Sequence, residues 1–214
     1  LDLSYNNLTR FQSVFPTLPA LSALDLSHNR ISAIEANAFS ALTSLTALNL
    51  SANSLVSLDN GVFSMIPKLV NLNIELNPIQ YFRRGAFSQL ESMTRLNLNS
   101  LLTDPLAVAL IEESAFTNWT TLTRLDLADN RIQDIQVGAF QLENLTTLDL
   151  QFSSLRNVRL GVFDQLPQLQ RLSMGFSPLG VLPAGLFSKN KALLDLSLCA
   201  TRMREFPDLT GLPA

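Results

Sequence analysis

The sequence predicts an α/β solenoid, curved like a horseshoe, with a parallel sheet on its concave face. Three periodic features predict it: a Leu-x-Leu motif, an amide or hydroxyl residue shortly after it, and a phenylalanine further along. The motif alternates at period two, as in a short strand with one buried face, and the rest of each unit loses that alternation. Such a unit cannot close a core alone, so copies of it must stack.

The strand motif recurs nine times in register, and the intervals between copies are 23, 24, 24, 24, 29, 23, 24 and 24 residues. We expect neighbouring strands to pair in parallel about 4.8 Å apart, with their leucines pointing into the core. The outer side of each unit is bulkier and should consist of irregular or 3₁₀-like segments. The first leucines of the copies are Leu1, Leu24, Leu48, Leu72, Leu96, Leu125, Leu148, Leu172 and Leu196.

An asparagine follows the strand in five copies, where the chain turns. Its amide carries donors and an acceptor, so it can bond backbone groups of adjacent turns in a dry interior. Serine or threonine stands there in the last three copies, and Leu101 cannot take part. The polar positions are Asn6, Asn29, Asn53, Asn77, Asn130, Ser153, Ser177 and Thr201.

A phenylalanine recurs on the outer side of seven copies. We expect these rings to stack along the solenoid as an aromatic spine, with neighbours packed edge to face. The residues are Phe39, Phe63, Phe87, Phe116, Phe140, Phe163 and Phe187.

The 29-residue interval contains five extra residues within 101–108, just after a strand, and Ile111 regains the normal inner position. We expect a bulge from one edge of the horseshoe. Two interpretations remain open. The insertion is a tolerated surface loop, because lengthening a loop costs little, or it contacts a ligand, because loops on rigid scaffolds often carry function.

Composition excludes several classes of protein. The net charge is −3 and the pI is about 5.1, which argues against a nucleic-acid partner because such partners require a basic patch. The longest apolar run, 106–111, is far too short to cross a bilayer.

We expect one domain over residues 1–214, and a fragment of a longer protein, because the chain begins inside a strand and neither end reads as a cap.

The repeat resembles the leucine-rich repeat of animal extracellular proteins. Asn77-Pro78-Ile79-Gln80 with Gly85-Ala86-Phe87, and the segment REFPDLTG at 204–211, are most similar to ectodomains of leucine-rich-repeat G-protein-coupled receptors. The consensus is also similar to Toll-like receptors, Slit-type proteins and variable lymphocyte receptors. The resemblance implies an extracellular horseshoe that binds a protein ligand, such as a secreted hormone, a growth factor or an antigen.

Four sequons fit the N-x-[ST] acceptor pattern for N-glycosylation, which is compatible with an extracellular location. Asn118 and Asn144 fall on the outer side, where a glycan would do no harm, and Asn7 is a further candidate. Asn49 falls on the concave strand, where a glycan would block binding nearby.

The residues that flank the strand leucines should face solvent on the concave side. The first three repeats present small, neutral or acidic groups there, whereas the middle repeats present arginines, acidic residues and two phenylalanines. Arginine and aromatic residues are enriched at binding hot spots. The alternative is a solvated face on which arginine and aspartate pair across strands. Our predicted contacts are Arg95, Asn97, Arg124, Asp126, Thr147, Asp149, Gln151, Phe152, Arg171 and Phe176.

Enzyme chemistry is not predicted. Asp126 and Asp149 could mimic the carboxylate pair of a retaining glycosidase, but aspartate and asparagine fill that column throughout, so the repeat itself explains them. His28 is the sole histidine and Cys199 the sole cysteine, so no catalytic triad, metal site or cofactor is expected. The candidates are a receptor ectodomain for a hormone or growth factor, an immune receptor, and a matrix or adhesion protein.

Overall fold

The computed structural model describes residues 1–12, 16–59, 61–87, 90–99, 109–117, 119–209 and 212. Within these ranges the regular structure consists of short strands joined by turns, and every strand pair is parallel. The strands in chain order are β1 (Arg10–Phe11), β2 (Ala23–Asp25), β3 (Ala33–Ile34), β4 (Ala47–Asn49), β5 (Asn71–Asn73), β6 (Tyr81–Phe82), β7 (Arg95–Asn97), β8 (Ala109–Ile111), β9 (Phe116–Thr117), β10 (Arg124–Asp126), β11 (Ile132–Ile135), β12 (Phe140–Gln141), β13 (Thr147–Asp149), β14 (Arg171–Ser173) and β15 (Asp195–Ser197).

The strands that carry the Leu-x-Leu motif pair in the predicted register. β2, β4 and β5 form one sheet, and β7, β10, β13, β14 and β15 form another in that order. Leucine lies opposite leucine throughout, as Leu125 does with Leu148. Asp2 bridges Asp25 in the same register, so the first copy joins the stack. The prediction of a leucine-rich-repeat solenoid with a parallel inner sheet is therefore confirmed.

The remaining strands lie outside the inner sheet, in the segments that return the chain between inner strands. They form the pairs β1–β3 and β9–β12 and the three-stranded sheet β6–β8–β11. Between them the chain makes successive turns with hydrogen bonds from residue i+3 to residue i. In one such stretch Ala38 N donates to Glu35 O at 2.9 Å and Leu42 N donates to Phe39 O at 2.9 Å. These turns match the expectation of 3₁₀-like segments outside.

The core runs along the solenoid between the inner strands and the outer turns. Both leucines of the central strands are buried, and so are all seven predicted phenylalanines. The expectation of edge-to-face rings is wrong, since Phe63 lies 6.2 Å from Phe39 at 25° and 6.3 Å from Phe87 at 21° between ring planes. Successive repeats are related mainly by translation, so equivalent rings keep nearly the same orientation and stack with an offset.

The asparagines that follow the inner strands, here called the asparagine ladder, join neighbouring repeats. Asn77 is fully buried, and its Nδ2 donates to Leu50 O of the preceding repeat and to Ile74 O of its own, both at 2.9 Å. Its Oδ1 accepts from Leu55 N at 3.1 Å. Ser153 replaces only part of this arrangement, because its hydroxyl donates to one carbonyl, Leu150 O.

The predicted bulge at 101–108, including Leu101, lies outside the described residues. After it the register recovers as expected, because Ile111 is buried and pairs with Phe82 in β6 and with Ile135 in β11. Within the described ranges no helix is long and apolar enough to cross a bilayer.

Candidate ligand-binding surface

The predicted contact residues are brought together as two columns across the inner sheet. Arg95, Arg124, Thr147 and Arg171 lie side by side in register. Asn97, Asp126 and Asp149 form the next column in the same way. The strand pairing thus confirms that these residues are neighbours; their role in binding remains a prediction.

The second column has a structural role that the sequence reasoning missed. In most repeats the side-chain Oδ1 of the Asp or Asn accepts a hydrogen bond from the backbone N–H two residues on, which closes a turn at the strand exit. Asp25 accepts from Ser27 N at 2.8 Å, and Asp149 accepts from Gln151 N at 3.0 Å. Aspartate and asparagine are the residues that stabilise such turns. In these repeats they stand three positions before the residue at the strand exit, which is Phe152 in the repeat of Asp149. This recurrence is the sequence signal that could have predicted the turns.

Asp126 departs from this pattern. The backbone N–H that would close its turn, on Ala128, donates instead to Asn99 Oδ1 of the preceding repeat at 2.8 Å. Both carboxylate oxygens of Asp126 face Arg124, whose Nε lies 2.8 Å from Oδ2 and whose Nη2 lies 2.8 Å from Oδ1. This contact with Asp126 raises the pKa of Arg124 above its usual value. The two charges therefore largely neutralise each other.

The available positive charge on this face belongs to other arginines. Arg95 and Arg171 are exposed and form no ion pair with any described residue. Thr147, in the same column as these arginines, and Gln151, two residues after Asp149, are half-buried. A ligand would consequently meet Arg171 as a free cation and Arg124 as half of an ion pair.

The strand-exit edge carries a pair of exposed aromatic residues. Phe152 and Phe176 stack with ring centroids 4.6 Å apart at 10°, and they are 48% and 49% exposed. They border a hollow of about 360 Å³ that Arg202 also lines. Exposed apolar patches can mark interaction sites, so this pair is a candidate contact for a ligand.

The exit residues share one backbone conformation. Eight described exit residues have φ between 52° and 58°: Tyr5, His28, Ala52, Leu76, Asp129, Phe152, Phe176 and Ala200. This left-handed region directs each side chain away from the strand in the same way. Tyr5 and His28 form a second stacked pair, 4.2 Å apart at 7°, which adjacent aromatic exit positions in the sequence could have indicated.

A larger hollow of about 660 Å³ lies over the inner strands from the first copy to β10. Of the predicted contacts it includes only Arg95, Asn97, Arg124 and Asp126. Phe152 and Phe176 line the smaller hollow at the exit edge. The other four predicted contacts, Thr147, Asp149, Gln151 and Arg171, line neither hollow. Among the described residues, no cluster of three or more His, Cys, Asp or Glu side chains could hold a metal ion.

The predicted glycosylation sites differ in their surroundings. Asn7 and Asn144 are exposed, and Asn144 Nδ2 donates to Thr120 O at 2.7 Å. Asn49 is half-buried, and its amide is engaged by Asp25 and Ser51. Asn118 lies outside the described residues.

The stacked coils, the inner parallel sheet and the asparagine ladder together define a leucine-rich-repeat protein. The family model for the leucine rich repeat matches residues 1–55, 43–100 and 120–179, and the chain belongs to this family. A search of curated proteins finds no significant match.

Two solved structures of Toll-type receptors are similar to the chain. One is the complex of TLR13 with ssRNA13, at 30% identity and a TM-score of 0.84 over 99% of this chain. The other is the Drosophila Toll–Spatzle complex, at 23% identity and a TM-score of 0.71 over 95% of this chain, a likeness in fold alone. The chain spans only 31% and 30% of those two chains. The predicted similarity to animal leucine-rich-repeat receptors is confirmed.

Proposed function

We propose that this chain is part of an extracellular receptor ectodomain and binds a protein ligand on its concave face. The observation that carries the proposal is the exposed, stacked pair of Phe152 and Phe176 at the strand-exit edge, where Arg202 lines the same hollow. Aromatic residues and arginine contribute most of the binding energy at protein interfaces. The paired strands and the buried ladder hold these groups, so binding needs little backbone rearrangement.

Both phenylalanines are already stacked before any ligand arrives. Their side chains are ordered by contact with each other, so burying them costs less conformational entropy than burying two free side chains. The exposed Arg171 lies between Thr147 and Asp195 in its column and forms no ion pair with any described residue. A ligand with an apolar anchor flanked by acidic groups fits this arrangement.

A protein ligand fits the charge better than a nucleic acid. The chain carries a net charge of −3, and binding to phosphates requires clustered basic residues. The TLR13 structure is a complex with single-stranded RNA, however, so the exclusion of nucleic acid is not supported and RNA is the second candidate class. The similarity to TLR13, at 30% identity, favours an immune receptor over a hormone receptor or a matrix protein.

The test is a binding screen with matched variants. The chain, produced through the secretory pathway of an animal cell, is tested against an array of secreted proteins and against a single-stranded RNA oligonucleotide. The variant Phe152→Ser with Phe176→Ser, and the variant Arg171→Ala, should each weaken binding of a protein hit by about 30-fold or more, as for hot-spot residues. Arg171 is preferred to Arg124 because the latter is held by Asp126.

The control is Val137→Ser with Leu160→Ser, which removes two exposed apolar side chains outside the inner sheet. It should leave affinity and thermal unfolding unchanged. Unaltered affinity in the phenylalanine variant would refute the concave-face assignment. Binding of RNA with no protein hit would replace the ligand class.

A further inference from the structure

A hollow of about 430 Å³ lies on the outer side of the solenoid, away from the proposed ligand-binding surface. Its volume is within the range of about 300–1,000 Å³ that is usual for small-molecule sites. Its lining comes from three successive repeats and is mostly polar: Trp119, Thr120, Gln141, Glu143, Asp164, Gln165 and Pro167.

One residue that lines this hollow has incomplete hydrogen bonding. Trp119 is 3% exposed, and its Nε1 is a buried donor without a hydrogen-bond partner among the described residues. An unpaired buried donor of this kind is destabilising, and in a native protein it calls for an explanation. The opposite walls carry Glu143 and Asp164, which are exposed and form no ion pair with any described residue.

Asn144 lies beside this hollow, directly after Glu143. Its Nδ2 donates to the carbonyl of Thr120, itself a lining residue, at 2.7 Å. Asn144-Leu145-Thr146 is a glycosylation sequon. The hydrogen bond to Thr120 therefore holds the acceptor nitrogen of that sequon at the edge of the hollow.

We propose that Asn144 carries an N-linked glycan whose first N-acetylglucosamine is seated in this hollow. In the transfer step Nδ2 forms a bond to the anomeric carbon of a lipid-pyrophosphate-linked oligosaccharide. The bond from that carbon to the pyrophosphate oxygen breaks, the lipid pyrophosphate leaves with the electron pair, and one amide proton is lost. The glycosylated amide keeps its second proton, so the hydrogen bond to Thr120 persists and aims the sugar.

The lining matches this sugar. The carboxylates of Glu143 and Asp164 accept hydrogen bonds from sugar hydroxyls, and such charge-assisted bonds are stronger than neutral ones. The amides of Gln141 and Gln165 can both donate and accept. The unpaired carboxylates disfavour an anion, whereas a neutral, hydroxyl-rich group tethered at Asn144 satisfies them without adding charge.

The test is a cycle of thermal unfolding measurements, and it rests on the extracellular location proposed above. Gln165→Ala removes a lining side chain, and Gln168→Ala removes an exposed glutamine of the same repeat that does not line the hollow. Each is made in the glycosylated chain secreted from animal cells and again in an Asn144→Gln background. Gln165→Ala should lower Tm by about 2–4 °C more in the glycosylated chain, the shift expected for one lost hydrogen bond in a domain of this size. Gln168→Ala should have the same effect in both.

Trimming the glycan to its first sugar with an endoglycosidase should leave Tm unchanged, because the seated sugar remains. Equal effects of Gln165→Ala in both backgrounds, or a lower Tm after trimming, would refute the proposed position of the first sugar in the hollow. Either result would leave the receptor proposal intact. Secretion with sugar on Asn7 but not on Asn144, shown by peptide mapping, would overturn the modification itself. No secretion and no sugar at any site would count against the extracellular proposal as well.

Discussion

Replacing Asn77 by alanine tests the ladder that couples one repeat to the next. Asn77 is fully buried, and its Nδ2 donates to Leu50 O and Ile74 O, both at 2.9 Å, and to Glu75 O at 3.2 Å, while its Oδ1 accepts from Leu55 N at 3.1 Å. Two of these partners belong to the preceding repeat, so the substitution cuts contacts between repeats. The alanine side chain can replace none of them.

The expected loss follows from these hydrogen bonds. Each contributes about 1 kcal/mol net, and a buried backbone group left without a partner costs about 1–3 kcal/mol. The change should therefore lower the free energy of unfolding by about 3–5 kcal/mol, a large part of the roughly 5–15 kcal/mol that stabilises a typical domain. Asn77→Ser should lose less, because Ser153 shows that a hydroxyl keeps one carbonyl contact at this position.

The assay is urea unfolding, read as the free energy of unfolding extrapolated to water. The control is Asn6→Ala at the equivalent position of the first copy, where the side chain is exposed and its Nδ2 donates to Leu3 O and Ser4 O of its own turn. This control should cost about 1 kcal/mol or less. If Asn77→Ala costs no more than Asn6→Ala, the ladder does not hold the repeats together and the reasoning fails.

Three further changes test the core, the strand exits and the packing. Phe63→Ala, in the middle of the stacked spine, should cost about 3–5 kcal/mol in urea unfolding, and Phe63→Leu less, because it leaves a smaller cavity. Burial acts to raise the pKa of Asp25, but hydrogen bonds from Ser27 and Asn49 together lower it. The ionised carboxylate of Asp25 therefore stabilises the fold above the unfolded-state pKa of about 3.9, and this stabilisation is lost as pH falls through the lower folded pKa. The urea midpoint of Asp25→Asn should decline less steeply below pH 4 than that of the unaltered chain. Gly175→Ala would place a Cβ 2.6 Å from Cys199 Sγ and 3.0 Å from Cys199 O, so thermal unfolding should show a loss of about 1–3 kcal/mol, whereas Gly180→Ala, with its nearest atom at 3.5 Å, should be nearly neutral.

Periodicity made the inner sheet predictable. Leucine opposite leucine in β10 and β13 follows from the spacing of Leu125 and Leu148, because a shift of one residue would expose the whole buried face. The same spacing brought Arg124 beside Thr147. Neighbours across strands were therefore known before any side-chain conformation was.

Side-chain conformations were less predictable because several partners compete for each polar group. Asp126 and Asp149 occupy equivalent positions, yet one is bound to an arginine two residues earlier and the other closes a turn. The difference depends on Asn99, which supplies the acceptor for Ala128 N in place of Asp126. That relation spans two repeats and has no signature within one. The hollow beside Asn144 was missed for a similar reason, since its lining comes from three repeats and no single unit shows it.

The left-handed exit positions impose a trade between stability and recognition. A residue with a Cβ in this conformation is strained by about 1–2 kcal/mol relative to glycine, and none of the eight described exit residues is a glycine. Exchanging one of these residues for glycine would relax the backbone and at the same moment delete a side chain from the edge. Selection of this chain for heat resistance alone would thus be expected to erode the Phe152–Phe176 pair, and variants that melt higher would bind less.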